Sequence, residues 1–208
     1  NSTYFPDRVV PMLPERLSGD LCSLHEGVDR ACLAVRMRLD SSGAKISHRF
    51  ERAVMRSRAS LTYEQAQAAA DGRPDAQAEP LAETVIAPLW NAWRTAARAR
   101  ARRQPLDLDL PERRIVLSEA GEVVDIPVRE RLDAHRLIEE FMILANVCAA
   151  ETLEARRRPL LYRVHEEPDP DRMEALRDTV ESVGLSLPKG QVTRTSQLND
   201  LLSRARGR

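Results

Sequence analysis

Lysine is nearly missing from this chain. Lys45 and Lys189 are its only two, and every other basic residue is arginine. One reading is the codon bias of a GC-rich genome. The other is that arginine, with its planar fork of donors, suits bidentate contacts to phosphate. Neither sign of charge is in excess, since 32 Lys and Arg balance 32 Asp and Glu. Bulk electrostatics therefore announces neither nucleic acid nor a membrane surface. No run of about 18 apolar residues occurs, so no membrane span is predicted. The cysteines are few and odd in number (Cys22, Cys32, Cys148) and lack metal-ligand spacing. They predict buried thiols in a reducing, cytoplasmic setting. There is no glycine-rich phosphate loop, no Cys/His cluster with zinc spacing and no internal repeat. His25, His48, His135 and His165 are scattered and read as structural or surface residues. There is neither an initiator methionine nor a signal peptide. The chain opens at Asn1 and is expected to be an internal piece of a longer protein.

What is present reads as one globular domain of 208 residues, 42% hydrophobic and 31% charged. It begins with proline: Pro6, Pro11 and Pro14 fall among Tyr4, Phe5, Val9, Val10, Met12 and Leu13. Proline excludes a helix interior or a central strand there. So apolar a stretch is no solvated linker either, and it is expected to lie rigidly against the core. "ACLAVRMRLD" predicts a half-buried strand with Ala31, Leu33, Val35, Met37 and Leu39 on its inner face. Residues 41–43 are the turn, and residues 46–55 return as the second strand of a hairpin.

Thr62 and Gln65 form a capping-box pattern that starts a helix, and Gly72 stands where that helix should stop. The next helix should run from about residue 78 into "RTAARARARR". Leu81, Val85, Leu89 and Trp93 form its apolar stripe, and Pro88 is a possible kink. "RRIVLSEAGEVVDIPV" predicts a short hairpin. Residues 131–157 predict the most buried helix. Its apolar face is Leu137, Ile138, Phe141, Met142, Ala145, Cys148, Ala149 and Leu153. "LLYRVH" predicts a strand. Asp169, Pro170 and Gly184 punctuate a further helix, with Met173, Leu176, Val180 and Val183 on its buried side. A last helix covers residues 196–204. The fold class is α+β, antiparallel hairpins packed on long helices, with no self-evident active site.

Five blocks resemble a known family. "YFPDRVVPMLPERLSGDLCSL", "SRASLTYEQA", "LDLDLPERRIVL", "AHRLIEEFMILANVCAAE" and "LYRVHEEPD" occur in the order seen in the ribonuclease II / ribonuclease R family of bacterial RNB-domain exoribonucleases. The likeness is closest to the ribonuclease R branch. It implies that residues 1–208 are part of an RNB domain, and that the parent protein hydrolyses RNA processively from the 3′ end. The products would be nucleoside 5′-monophosphates, with Mg²⁺ as cofactor and single-stranded RNA as partner. The family's aspartate cluster precedes the first block, and its "FTSPIRRYPDL" arginine motif follows the last; neither is in this sequence. No catalytic or metal-binding residue is therefore assigned here, and this polypeptide alone is expected to be inactive. Cold-shock and S1-type domains are expected in the parent. The alternative is a non-catalytic RNB-like RNA-binding module.

The resemblance also implies roles for individual residues. From the residues alone, Tyr4 is a core or turn aromatic, Tyr63 a first-turn helix residue and Glu139 part of a solvated face. The resemblance instead places Tyr4 where an aromatic stacks on bases near the 3′ end. It places Tyr63 and Glu139, with Glu140 as register competitor, at the sugar and its 2′-hydroxyl. Leu108 stands where many relatives have a phenylalanine that closes on the bases, and it offers no π-face. Arg94, Arg98 and Arg102 share a helix face, either merely solvated or, centred on Arg98, guiding the RNA backbone.

Overall fold

The computed structural model describes residues 2–106, 108, 110–164, 166, 168–188 and 194–206. The elements in chain order are strands β1 (Thr3–Tyr4), β2 (Val9–Val10), β3 (Asp29–Leu39) and β4 (Lys45–Arg56), then helices α1 (Tyr63–Ala70), α2 (Glu79–Leu81) and α3 (Ala87–Ala101). Strands β5 (Val116–Leu117) and β6 (Val123–Asp125) follow, then helices α4 (Asp133–Ala155), α5 (Pro170–Ser182) and α6 (Thr195–Ala205). Among the described residues the strands pair as antiparallel neighbours, β1 with β2, β3 with β4 and β5 with β6. The chain divides into two compact units, Asn1–Ala97 with Pro111–Ala149, and Arg98–Leu110 with Ala150–Arg208.

The first unit is built around Ala69, Ala78, Ile86, Trp90, Ala134 and Leu137. The capping box at α1 forms as its sequence predicts: Gln65 N–H donates to Thr62 Oγ1 at 3.2 Å, and Thr62 N–H donates to Gln65 Oε1 at 2.8 Å. Gly72 follows the helix at φ +80°, a conformation that only glycine adopts without strain.

The next helix corrects the predicted stripe. Pro88 cannot donate to the carbonyl of Thr84, and just before it the chain widens into a π turn, Ala82–Ile86. A π turn inserts one residue, so the buried face advances from the expected Val85 and Leu89 to Ile86 and Trp90. Trp93 still packs on this core and meets Trp90 edge-on at 6.5 Å.

The β3–β4 hairpin is long and turns at Asp40, whose Oδ1 accepts from the N–H groups of Ser42 (2.8 Å) and Ala44 (2.9 Å). Its inner face differs from the simple alternation. Arg30 and Cys32 are the less exposed residues in the first half; Val35, Met37 and Leu39 are in the second. Leu33 is 69% exposed, opposite Arg52. Register runs unbroken through this change, so the ribbon's own twist turns a different face inward at each end.

The expectation for the proline-rich opening is also corrected. β1 and β2 close a small ribbon, but Tyr4, Phe5, Val9, Val10, Met12 and Leu13 are all exposed and none lies against the core. Among the cysteines only Cys148 is buried, while Cys22 is exposed and Cys32 half-exposed.

On α4 the buried face carries Ala134, Leu137, Glu140 and Cys148, whereas Ile138 and Met142 are exposed. The predicted face is thus rotated by about one residue, because the apolar residues ring the helix and packing on α1 selects the side.

In the second unit Val180, Leu185, Leu187 and Leu201 form a small core. Asp169 caps α5, accepting from Asp171 N–H at 2.8 Å, and Gly184 follows the helix at φ +75°. Val183, expected on the buried side, is exposed. Residues 160–164 form no strand; Leu161 and Val164 are exposed with no ladder partner among the described residues, and His165 lies outside them.

Candidate nucleic-acid interface

Two helix N-termini meet in the first unit and build the candidate site. The capping box fixes where α1 begins and so places Tyr63 at its first position. Ala134 N–H, one of the donors that the start of α4 leaves without a helical acceptor, donates to Gln67 Oε1 at 3.0 Å. That bond joins segments 67 residues apart and sets α4 against α1. The phenol ring of Tyr63 then stacks on the imidazole of His135, centroids 4.0 Å apart and planes at 18°.

A cleft of about 440 Å³ opens beside this stack, with Tyr63, Glu64, Arg114, Arg129, Leu137 and Ile138 among its walls. One side is apolar and the mouth is charged. Glu64 is turned back on its own helix. Its backbone N–H and the Thr62 hydroxyl hold its carboxyl below the ordinary carboxylate range, and the Arg129 guanidinium adds attraction.

Glu139 lies one turn beyond His135 on α4, so both occupy one side of the helix. It is half-buried and pairs with Arg131 at 2.5 Å. Its neighbour Glu140, the competing register, is buried. Tyr63 and Glu139 thus flank His135, and Glu139 rather than Glu140 reaches solvent.

The other candidates stand elsewhere. Tyr4 is 78% exposed on β1 and makes no ring contact among the described residues. Leu108 is exposed, and Arg98 lies in the last turn of α3, where a cation complements the helix dipole; both belong to the second unit. His135, Arg114 and Arg129 escape a motif reading. The one signal for His135 is its spacing of four from Glu139. The two arginines are brought together only by the pairing at the base of the second hairpin, where Arg113 bridges Val128. His48 packs edge-on against Phe50 in the β3–β4 hairpin. Among the described residues no three His, Cys, Asp or Glu side chains group closely enough to hold a metal ion. The described residues do not fit a Mg²⁺ site, and no metal-dependent step is assigned to them. No described helix is long and apolar enough to cross a membrane.

The sequence matches the RNB domain model over residues 1–207. The chain belongs to the RNB family. It is 36% identical over 203 residues to ribonuclease R of Escherichia coli K12, covering 97% of this chain and 25% of that protein. It is 39% identical over 187 residues to ribonuclease R of Aquifex aeolicus, covering 89% of this chain and 26% of that protein. The RNB chain thus spans about a quarter of the length of these curated relatives.

Mycoplasma genitalium RNase R in complex with ribose-methylated single-stranded RNA matches it with a TM-score of 0.86 at 26% identity, over 99% of this chain and 32% of that one. The complex of the same enzyme with double-stranded RNA gives 0.90 at 25% identity, over 99% of this chain and 37% of that one. These matches carry the α+β architecture of helices and small antiparallel sheets across the RNB chain.

Proposed function

We propose that this chain is the strand-holding part of a 3′-to-5′ exoribonuclease. Such an enzyme hydrolyses single-stranded RNA to nucleoside 5′-monophosphates in the cytoplasm, with Mg²⁺ held by carboxylates supplied outside residues 1–208. The observation that carries the reading is family membership across the whole chain, with a solved relative of the same fold that is in complex with RNA. In the parent protein, cold-shock and S1-type domains flank this segment.

Within the chain, Tyr63 holds the sugar and Glu139 accepts from its 2′-hydroxyl, a group that DNA lacks. Tyr4 and Leu108 contact bases, the first by stacking and the second by apolar contact alone. Arg98 attracts the backbone.

The test is binding of matched RNA and DNA oligomers to the chain at fixed salt. The wild type binds RNA more tightly. Tyr63→Ala with Glu139→Ala narrows that preference by about tenfold, the lower end for a hydrogen bond to a charged group, because Glu139 is partly exposed. An unchanged RNA/DNA ratio in the double variant would return both residues to purely structural roles. Release of mononucleotides by a polypeptide joining this chain to the upstream aspartate motif distinguishes the enzyme from a binding module.

A further inference from the structure

The mouth of the Tyr63 cleft carries donors without acceptors. Leu132 N–H donates to His135 Nδ1 at 3.2 Å. A ring nitrogen that accepts carries no proton, so the proton of the imidazole sits on Nε2. That nitrogen faces the guanidinium of Arg129 at 3.4 Å, a group that can only donate. Donor therefore faces donor, and an oxygen acceptor that both can reach would complete the arrangement.

Arg114 lines the same mouth. The base of the second hairpin fixes its backbone beside that of Arg129: Arg114 N–H donates to Pro127 O at 2.9 Å, and Arg129 N–H donates to Glu112 O at 2.7 Å. Some arginines elsewhere in the first unit pair with carboxylates, as Arg30 does with Asp20 and Arg131 with Glu139. Among the described residues neither Arg114 nor Arg129 has an ion-pair partner, although both line the cleft beside Glu64. The Glu64 carboxylate is occupied by its own helix start and leaves one net positive charge over these three groups.

We propose that Arg114, Arg129 and His135 Nε2–H hold a backbone phosphate of a nucleic-acid strand at the mouth of this cleft. The proposal rests on the reading of the cleft as a strand-holding site and names a contact distinct from the sugar contact of Tyr63 and Glu139. Two guanidinium forks and one imidazole N–H match the several acceptor lone pairs of a phosphodiester. The contact is blind to sugar and base, which suits a site that must accept successive nucleotides.

Binding of oligo(A) and oligo(dA) to the chain, measured across a salt series, tests it. Arg129→Gln and Arg114→Gln replace exposed side chains and leave the fold intact, which circular dichroism verifies. Each is expected to weaken both oligomers equally, roughly three- to tenfold, and to flatten the log K against log salt slope by about 0.7. His135→Asn keeps an acceptor for Leu132 N–H, loses the Nε2 proton, and weakens both oligomers with little change of slope. Wild-type slope and affinity in both arginine variants overturn the phosphate site while leaving the Tyr63–Glu139 reading intact. Loss confined to oligo(A) also overturns it, because the arginines would then be reading the sugar. Failure of the wild-type chain to bind either oligomer overturns the strand-holding reading itself, and this site with it.

Discussion

Leu137 and Ile138 are adjacent on α4 and nearly alike in chemistry, yet Leu137 is 2% exposed and Ile138 42%. The side chain of Leu137 fills the space between α1, Trp90 and Ala134, so its truncation leaves a cavity. Leu137→Ala is expected to destabilise the first unit by about 2–5 kcal/mol. Ile138→Ala, on the half-open wall of the cleft, should cost about 1 kcal/mol, since a large part of its surface already meets water. Denaturant melts of both variants check the face assignment, and equal losses would contradict it. Ile138→Asp, at a position that the sequence pattern assigns to the buried face, should give a soluble protein. The same scale separates Glu139 from Glu140: one helical step of about 100° takes a carboxylate from the open face into the interior.

At the scale of elements, caps decide where helices begin, and two caps here invite measurement. Asp169→Ala removes the acceptor for the first N–H groups of α5 and should cost about 0.5–2 kcal/mol of the second unit's stability. Asp75 holds the turn that leads into α2, accepting from the N–H groups of Gln77 and Ala78. The N–H of Ala78, the Gln65 side chain and the N–H of Gln77 hold its carboxyl below the ordinary aspartate range. Glu64 at the start of α1 is lowered likewise.

A carboxyl depressed in the folded state contributes stability that is present above its unfolded pKa and lost as pH falls through the folded one. The first unit should therefore lose stability on acidification from the ordinary carboxylate range downward. Asp75→Asn and Glu64→Gln should each make that loss shallower, as read from thermal melts across acid pH. A parallel profile in the variants would show that these two carboxyls do not contribute to it.

At the scale of the whole molecule, the family assignment and the chain's own residues answer different questions. Membership of the RNB family covers residues 1–207, but the carboxylates that a divalent ion needs do not gather among the described residues. The 208-residue chain by itself is accordingly expected to release no mononucleotides from a labelled poly(A) oligomer in Mg²⁺. Any release above background would mean that carboxylates of this chain do assemble. Residues 160–164 illustrate the same division: their largely apolar run reads as a strand, but a strand needs a hydrogen-bonded neighbour, and no described segment supplies one.

The sequence by itself determined the punctuation. The capping box at Thr62 and Gln65, the Asp169–Pro170 start, the ends at Gly72 and Gly184, and the turn after Asp40 depend on groups a few residues apart, and local chemistry is enough to set them. The five ordered blocks likewise determined the family. Which face each element buries was decided only by the tertiary structure. The π turn before Pro88 advanced one face, ribbon twist divided another, and contact with α1 chose among the apolar sides of α4. The candidate phosphate site belongs to this second class. His135, Arg114 and Arg129 meet because a glutamine on α1 accepts from the start of α4 and because two hairpin strands pair beside it, interactions between segments that no sequence window contains.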